Sequence, residues 1–180
     1  MSKNLIISTI IFMLLSFPAC SRKRIWTSTP ASQSINSKSY DARLEPLKKE
    51  ADFFNGFRLT LVNKTAKEME IDWNRTKYIY KGKDEGLFVF SGINPDSVKN
   101  ATIPGDVIPA GGTFAKDIFP FKFIAFTPLR EQSIKTEHHN IIAGLIPEGE
   151  NGIFLVIHQD GKISRVMIVV EIESREMGTP

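Results

Sequence analysis

Cysteine is almost missing from this chain: one residue, Cys20, in 180. From Pro46 onward there is none, so no disulfide and no cysteine-based metal or redox site can form there. Several other signatures are absent. There is no G-x-S-x-G nucleophile elbow, no Lys-Ser/Thr P-loop and no D-x-[DN]-x-[DN]-G calcium loop. No apolar run reaches the roughly 20 residues that a spanning helix requires. A large charge of one sign is missing too. The formal net charge is +3, and the basic excess sits at the front. Ser21 to Glu45 holds five basic and two acidic residues, whereas Pro46 to Pro180 holds seventeen and eighteen. The pI near 9.0 therefore gives no reason to expect a nucleic-acid partner.

What is present begins with three zones. Met1 to Asn4 carries Lys3, Leu5 to Leu15 reads "LIISTIIFMLL", and "SFPAC" sets small Ala19 before Cys20. A charged start, an apolar stretch of about 7–15 residues and a small-residue cleavage site describe a secretory signal peptide over 1–19. The stretch ending Ala19-Cys20 resembles the lipobox of bacterial lipoproteins, although Phe17 and Pro18 stand where that family usually has Leu and a small residue. The resemblance implies diacylglycerol on the Cys20 thiol, cleavage before it and acylation of the new N-terminus. Ser21 after the cysteine resembles lipoproteins sorted to the outer membrane, facing the periplasm. Two other readings, an uncleaved anchor and a plain signal peptide with a free thiol, differ in the state of Cys20.

One acyl chain binds membranes only marginally, so stable anchoring takes two or more signals, which a triacylated cysteine supplies. The basic Arg22-Lys23-Arg24 either adds about 1 kcal/mol per residue at an anionic surface or is simply solvated. Residues 20–45 are expected to form a flexible linker. They are rich in Ser, Thr, Asn and Pro and poor in large apolar residues, so burial cannot offset ordering entropy. Trp26 in that linker either sits at the membrane interface or does nothing.

Beyond the linker the pattern is period two. "FRLTLVN" places Phe57, Leu59 and Leu61 on one face, and "EMEIDW" does the same with Met69, Ile71 and Trp73. The polar "NKTAKE" between them reads as a hairpin turn. "TKYIYKG" and "GLFVFSG" flank a "KDE" turn. "VIPAGGTFAKDIFPF" reads as strand, turn, strand; "KFIAFTP", "NGIFLVIHQ" and "ISRVMIVVEIE" add further strands, and "IIAGLIP" reads as strand or short helix, with strand preferred. Asp160-Gly161 is the strongest hairpin signal. "LFVF" and "IFLVI" are apolar on both faces, as strands beneath a second layer would be. The last strand should start covered on both sides and end with Glu171 and Glu173 wet. One short helix is expected over Leu47 to Ala51. Eight or nine such strands predict an all-β, antiparallel sandwich over 46–180, Ig-like in architecture only.

Chemistry is sparse. His138 and His139 are adjacent and would point opposite ways on a strand, and no matched third ligand accompanies them. His158 lies near Asp160, without an identifiable nucleophile. The carboxylate groups Glu68/Glu70/Asp72, Asp84/Glu85, Glu148/Glu150 and Glu171/Glu173 read as wet strand faces, and no cofactor is expected. The sequons at Asn63, Asn74 and Asn100 read as turns and strand ends. Phe119, Phe121 and Phe123 form either core or an exposed docking patch for an envelope protein or cell-wall partner. The expectation is a lipid-anchored envelope module that binds, assembles or supports and does not catalyse. The alternatives are a small envelope hydrolase using His158, and a periplasmic inhibitor or chaperone-like domain using strand addition.

Overall fold

Alternating segments need a shared apolar layer, and the chain provides it by stacking two antiparallel sheets. The computed structural model describes residues 24–93, 95–126 and 141–177. Its strands are β1 (Arg24–Thr29), β2 (Gln33–Asn36), β3 (Tyr40–Leu47), β4 (Gly56–Asn63), β5 (Met69–Ile71), β6 (Lys77–Tyr80), β7 (Lys83–Asp84) and β8 (Phe88–Val89). After a one-turn helix α1 (Pro95–Lys99) come β9 (Asp106–Ile108), β10 (Thr113–Pro120), β11 (Ile124–Phe126), β12 (Ile141–Ala143), β13 (Gly149–Gln159) and β14 (Lys162–Glu176). One sheet runs β1-β14-β13-β5-β9, with β6 also on β13 and β7 on β6; the other runs β2-β3-β4-β10-β8. A ribbon of β11 and β12 completes the fold.

The all-β, antiparallel sandwich is as expected, with fourteen strands among the described residues rather than eight or nine. The inner faces follow the alternation. Phe57, Leu59 and Leu61 meet Met69, Ile71 and Trp73 in one buried cluster, closed from the β13–β14 side by Ile153, Leu155, Ile168 and Ile172. Each such side chain contributes on the order of 1.5–3 kcal/mol through burial. Tyr78 packs edge-on to Phe88 and Phe123, with centroids 6.1 and 5.7 Å away. Its hydroxyl donates to buried Asn151, whose amide donates to the carbonyls of Pro147 and Gly149 at 2.8 and 2.7 Å.

The expected linker is corrected. From Arg24 to Leu47 the chain forms β1, β2 and β3, which are integral to both sheets. β1 pairs with β14 from Arg24↔Glu176 to Thr29↔Glu171, and β3 pairs with β4 along its whole length. A strand of a two-sheet sandwich needs only one covered face, so a few apolar residues at alternate positions suffice. Tyr40, Ala42 and Leu44 turn inward while Asp41, Arg43 and Glu45 turn outward. Trp26, only 8% exposed, is core.

Three local expectations also change. The segment over 47–51 is not helical. β3 runs to Leu47, and the following loop is closed by the Asn55 amide, which accepts from Lys49 N–H and donates to Lys49 C=O at 2.9 and 2.8 Å. Lys83–Asp84 is strand β7, because the turn falls one step earlier at Lys81-Gly82, both with positive φ. β4 and β5 are not a hairpin, since each belongs to a different sheet. Asp160-Gly161 does form the expected tight turn, with φ of 51° and 71°, and closes the β13–β14 ladder.

Candidate functional site

The outer face of the seven-stranded sheet departs from an ordinary wet surface along β13. β13 is interrupted on one side: β5 pairs with it at Ile157 and His158, β6 pairs at Asn151 to Phe154, and residues 72–76 bulge between them. That bulge is built from hydrogen bonds. Asp72 Oδ1 accepts the backbone N–H groups of Asn74 and Arg75, both at 3.1 Å. Asp72 N–H donates to Val156 C=O at 3.0 Å, and the Thr76 hydroxyl accepts Val156 N–H at 3.2 Å. A fully buried threonine thus replaces the ladder partner that β13 loses here.

The result is a depression of about 440 Å³ with Phe154, Val156 and Ile79 in its lining. Arg75 lines it from the bulge, Lys77 from β6 and Arg165 from β14, where Arg165 pairs with Val156 across the ladder. Val156 and Ile79 are only 1% and 5% exposed. Long basic side chains commonly lay their methylene stems over apolar surface while the charged heads stay in water. Among the described residues, none of the three cations has a carboxylate partner. One carboxylate, Asp84, also lines the depression, and it accepts Gly86 N–H at 2.9 Å. Met167, opposite Phe154 on β14 and 47% exposed, extends the apolar strip.

"IFLVI" is therefore apolar on both faces without a second layer over its outer side among the described residues. The start of β14 is exposed as well, at Ile163 and Met167, against the expectation that it is covered. Sequence reasoning missed Arg75, Lys77 and Arg165. The available signal was an antiparallel strand with Phe154 and Val156 facing outward and an arginine on the next strand.

The residues singled out from the sequence lie elsewhere. Phe119 is buried, and Phe121 and Phe123 pack against the core cluster. Residues 121–123 form a 3₁₀ turn, which breaks the alternation that would have put all three on one face. Core is the outcome for this segment. Cys20, His138 and His139 lie outside the described residues. His158 pairs with Asp72, Nε2 to Oδ2 at 3.1 Å, rather than with Asp160. Asp160 bonds Lys67 instead, which holds its carboxyl below the usual range. No hydroxyl or thiol hydrogen-bonds His158 among the described residues. Nor do they contain a group of three or more His, Cys, Asp or Glu able to hold a metal.

The remaining polar clusters serve the fold. Lys116 Nζ sits 3.9 Å from the Phe90 centroid and 2.5 Å from Asp106 Oδ2, which also accepts Trp73 Nε1–H at 2.7 Å. This aromatic box is filled by the chain's own cation. Asn63, fully bonded to Thr65, Lys67 and Pro109, is buried at the end of β4.

No helix among the described residues is long and apolar enough to cross a membrane. No family model matches this chain, and no curated protein or solved structure matches it either.

Proposed function

We propose that this protein is a lipid-anchored binding module of a bacterial cell envelope, held at Cys20. Its binding surface is the depression on the seven-stranded sheet. Its partner is a protein segment that carries acidic residues around an apolar side chain. The observation that carries this reading is the set Arg75, Lys77 and Arg165, which borders an apolar floor without internal carboxylate partners. A volume of about 440 Å³ lies within the ~300–1,000 Å³ of ordinary ligand sites and admits one or two side chains. Carboxylates on the partner would meet unneutralised cations, which favours both encounter rate and selectivity. Anchoring rests on the Ala19-Cys20 resemblance, and outer-membrane sorting on Ser21.

A second reading, a small envelope hydrolase, draws on the His158–Asp72 pair. That pair supplies a base and its orienting acid but no nucleophile, so binding is the reading we adopt.

Two measurements test it. Mass spectrometry of the mature N-terminus should find an acylated Cys20, and Cys20→Ala should release the domain from membranes. Zero-length carbodiimide coupling in intact envelopes should join Lys77 to a carboxylate of another polypeptide. Lys77→Arg keeps the charge and should remove the adduct. Adducts spread evenly over Lys64, Lys67 and Lys77, or none at Lys77, would contradict the docking surface.

A further inference from the structure

The strands place β1 so close behind Cys20 that a lipid anchor would set the whole domain against its membrane. Cys20 and Arg24 are four residues apart, so their Cα atoms are at most about 14 Å apart. Arg24 is already paired with Glu176 in the sheet. The headgroup zone of one leaflet is about 5–7 Å thick, since the bilayer spans ~40–45 Å around a ~30 Å core. A long leash would let the domain stand clear of the bilayer; one this short keeps the Arg24 end beside it.

The end of the sandwich that carries Arg24 can be followed through the hydrogen bonds. β14 ends there and β13 begins there. The loop after β3 is joined to it by Lys48 Nζ, which donates to Trp26 C=O at 2.8 Å, and Ile146 N–H donates to Phe54 C=O at 2.8 Å. Of the seven large apolar side chains left exposed among the described residues, four lie on these segments or on the ribbon leading into them: Ile25, Ile142, Leu145 and Met177. Ile25 on β1 lies opposite Arg175, and Met177 directly follows the end of β14; each is 49% exposed. Leu145, between Gly144 and Ile146, is 42% exposed. Basic and acidic residues are mixed at this end, with Arg24, Lys48 and Lys81 beside Glu50, Asp52 and Glu148, so charge alone does not select a partner.

We infer that this end of the sandwich rests on the phospholipid surface, with Ile25, Leu145 and Met177 at the headgroup level. The inference depends on the anchoring at Cys20 proposed above. Its consequence is a fixed presentation. The β13–β14 turn points away from the bilayer. Arg165, eleven residues from Glu176 along β14, then stands about 35 Å out. The basic depression faces sideways, toward partners in the space beside the membrane rather than toward lipid.

The test uses the full-length chain, extracted with its anchor and placed in nanodiscs of phosphatidylethanolamine and phosphatidylglycerol. Single cysteines are introduced as Ile25→Cys, Leu145→Cys, Met177→Cys and Ile163→Cys, and each is labelled with a nitroxide. An acylated Cys20 leaves one label per chain, so the label count by mass reports anchoring separately from orientation. The expected result is one label, with several-fold lower collision with a water-soluble nickel chelate at 25, 145 and 177 than at 163. One label with all four positions equally open to the chelate would overturn the inference while leaving the anchor standing. Two labels per chain would remove the anchor and the inference with it.

Discussion

The two outer faces of this sandwich treat charge in opposite ways. On the five-stranded sheet, Arg58 lies between Asp117 and Glu45 in register and bonds both Asp117 oxygens, at 2.8 and 3.3 Å. Lys64 bonds Asp41 at 2.6 Å, and Arg43 lies 3.5 Å from Glu45. That face neutralises itself. On the seven-stranded sheet, Arg75, Lys77 and Arg165 surround Phe154 and Val156 and have no such partners among the described residues. Surface ion pairs contribute little to stability, about 0–1 kcal/mol, so the contrast says less about folding than about what each face is free to meet.

The comparison is broken most severely at Gly152. A Cβ there would lie 2.2 Å from the Ile168 carbonyl oxygen and 2.9 Å from Val169 Cα, atoms that cannot yield without moving the strand. Gly152→Ala should cost ~3 kcal/mol or more, or abolish folding, as read by thermal melting. An equivalent substitution on the opposite face, Thr60→Ala, should leave the melting temperature nearly unchanged.

Next in size is the effect on binding. Reversing all three cations, as Arg75→Glu, Lys77→Glu and Arg165→Glu together, sets like charges against an acidic partner. Association should fall ~100-fold or more, equivalent to about 3 kcal/mol or more, with stability held within about 0.5 kcal/mol. Reversal of Arg58 on the neutralised face should leave association intact. Equal losses from the two faces would erase the distinction.

A smaller effect belongs to the core beneath both faces. Burial raises the Tyr78 hydroxyl above its ordinary pKa of 10.0. The stabilising contribution is complete below the unfolded pKa and is lost as pH rises from about 10 toward the raised folded value, because the unfolded chain then releases a proton that the folded chain retains. Chemical denaturation should show stability falling above pH 10. Tyr78→Phe should flatten that fall while lowering stability at neutral pH, since it leaves Asn151 without its donor. The smallest change is expected from Arg58→Ala, which removes only an exposed pair and should barely shift the denaturation midpoint.

Alternation made much of the core legible. Phe57, Leu59, Leu61, Met69, Ile71 and Trp73 turn inward as their spacing requires, and Asp160-Gly161 turns where two positive φ angles are needed. Pairing was not legible in the same way. Strands facing each other across a core and strands side by side in one hairpin share the same period, so β4 and β5 gave no local sign of crossing between sheets. The front of the chain misled because Ser and Thr dominate its composition, while Tyr40, Ala42 and Leu44 already carried the alternation of β3. The depression was the least visible feature. Arg165 is far from Arg75 and Lys77 in sequence, and the three line one depression where residues 72–76 bulge and β13 exchanges one neighbour for another.

The difference between the faces can be measured directly by photo-crosslinking in intact envelopes. A photoreactive side chain replaces Met167, beside the basic depression, or Ala115, exposed on the five-stranded sheet. A discrete crosslinked partner at 167, absent at 115 and lost when Arg75, Lys77 and Arg165 are reversed, is the predicted result. The same adducts at both positions, or a partner at 115 alone, would contradict the assignment of the seven-stranded sheet as the binding face.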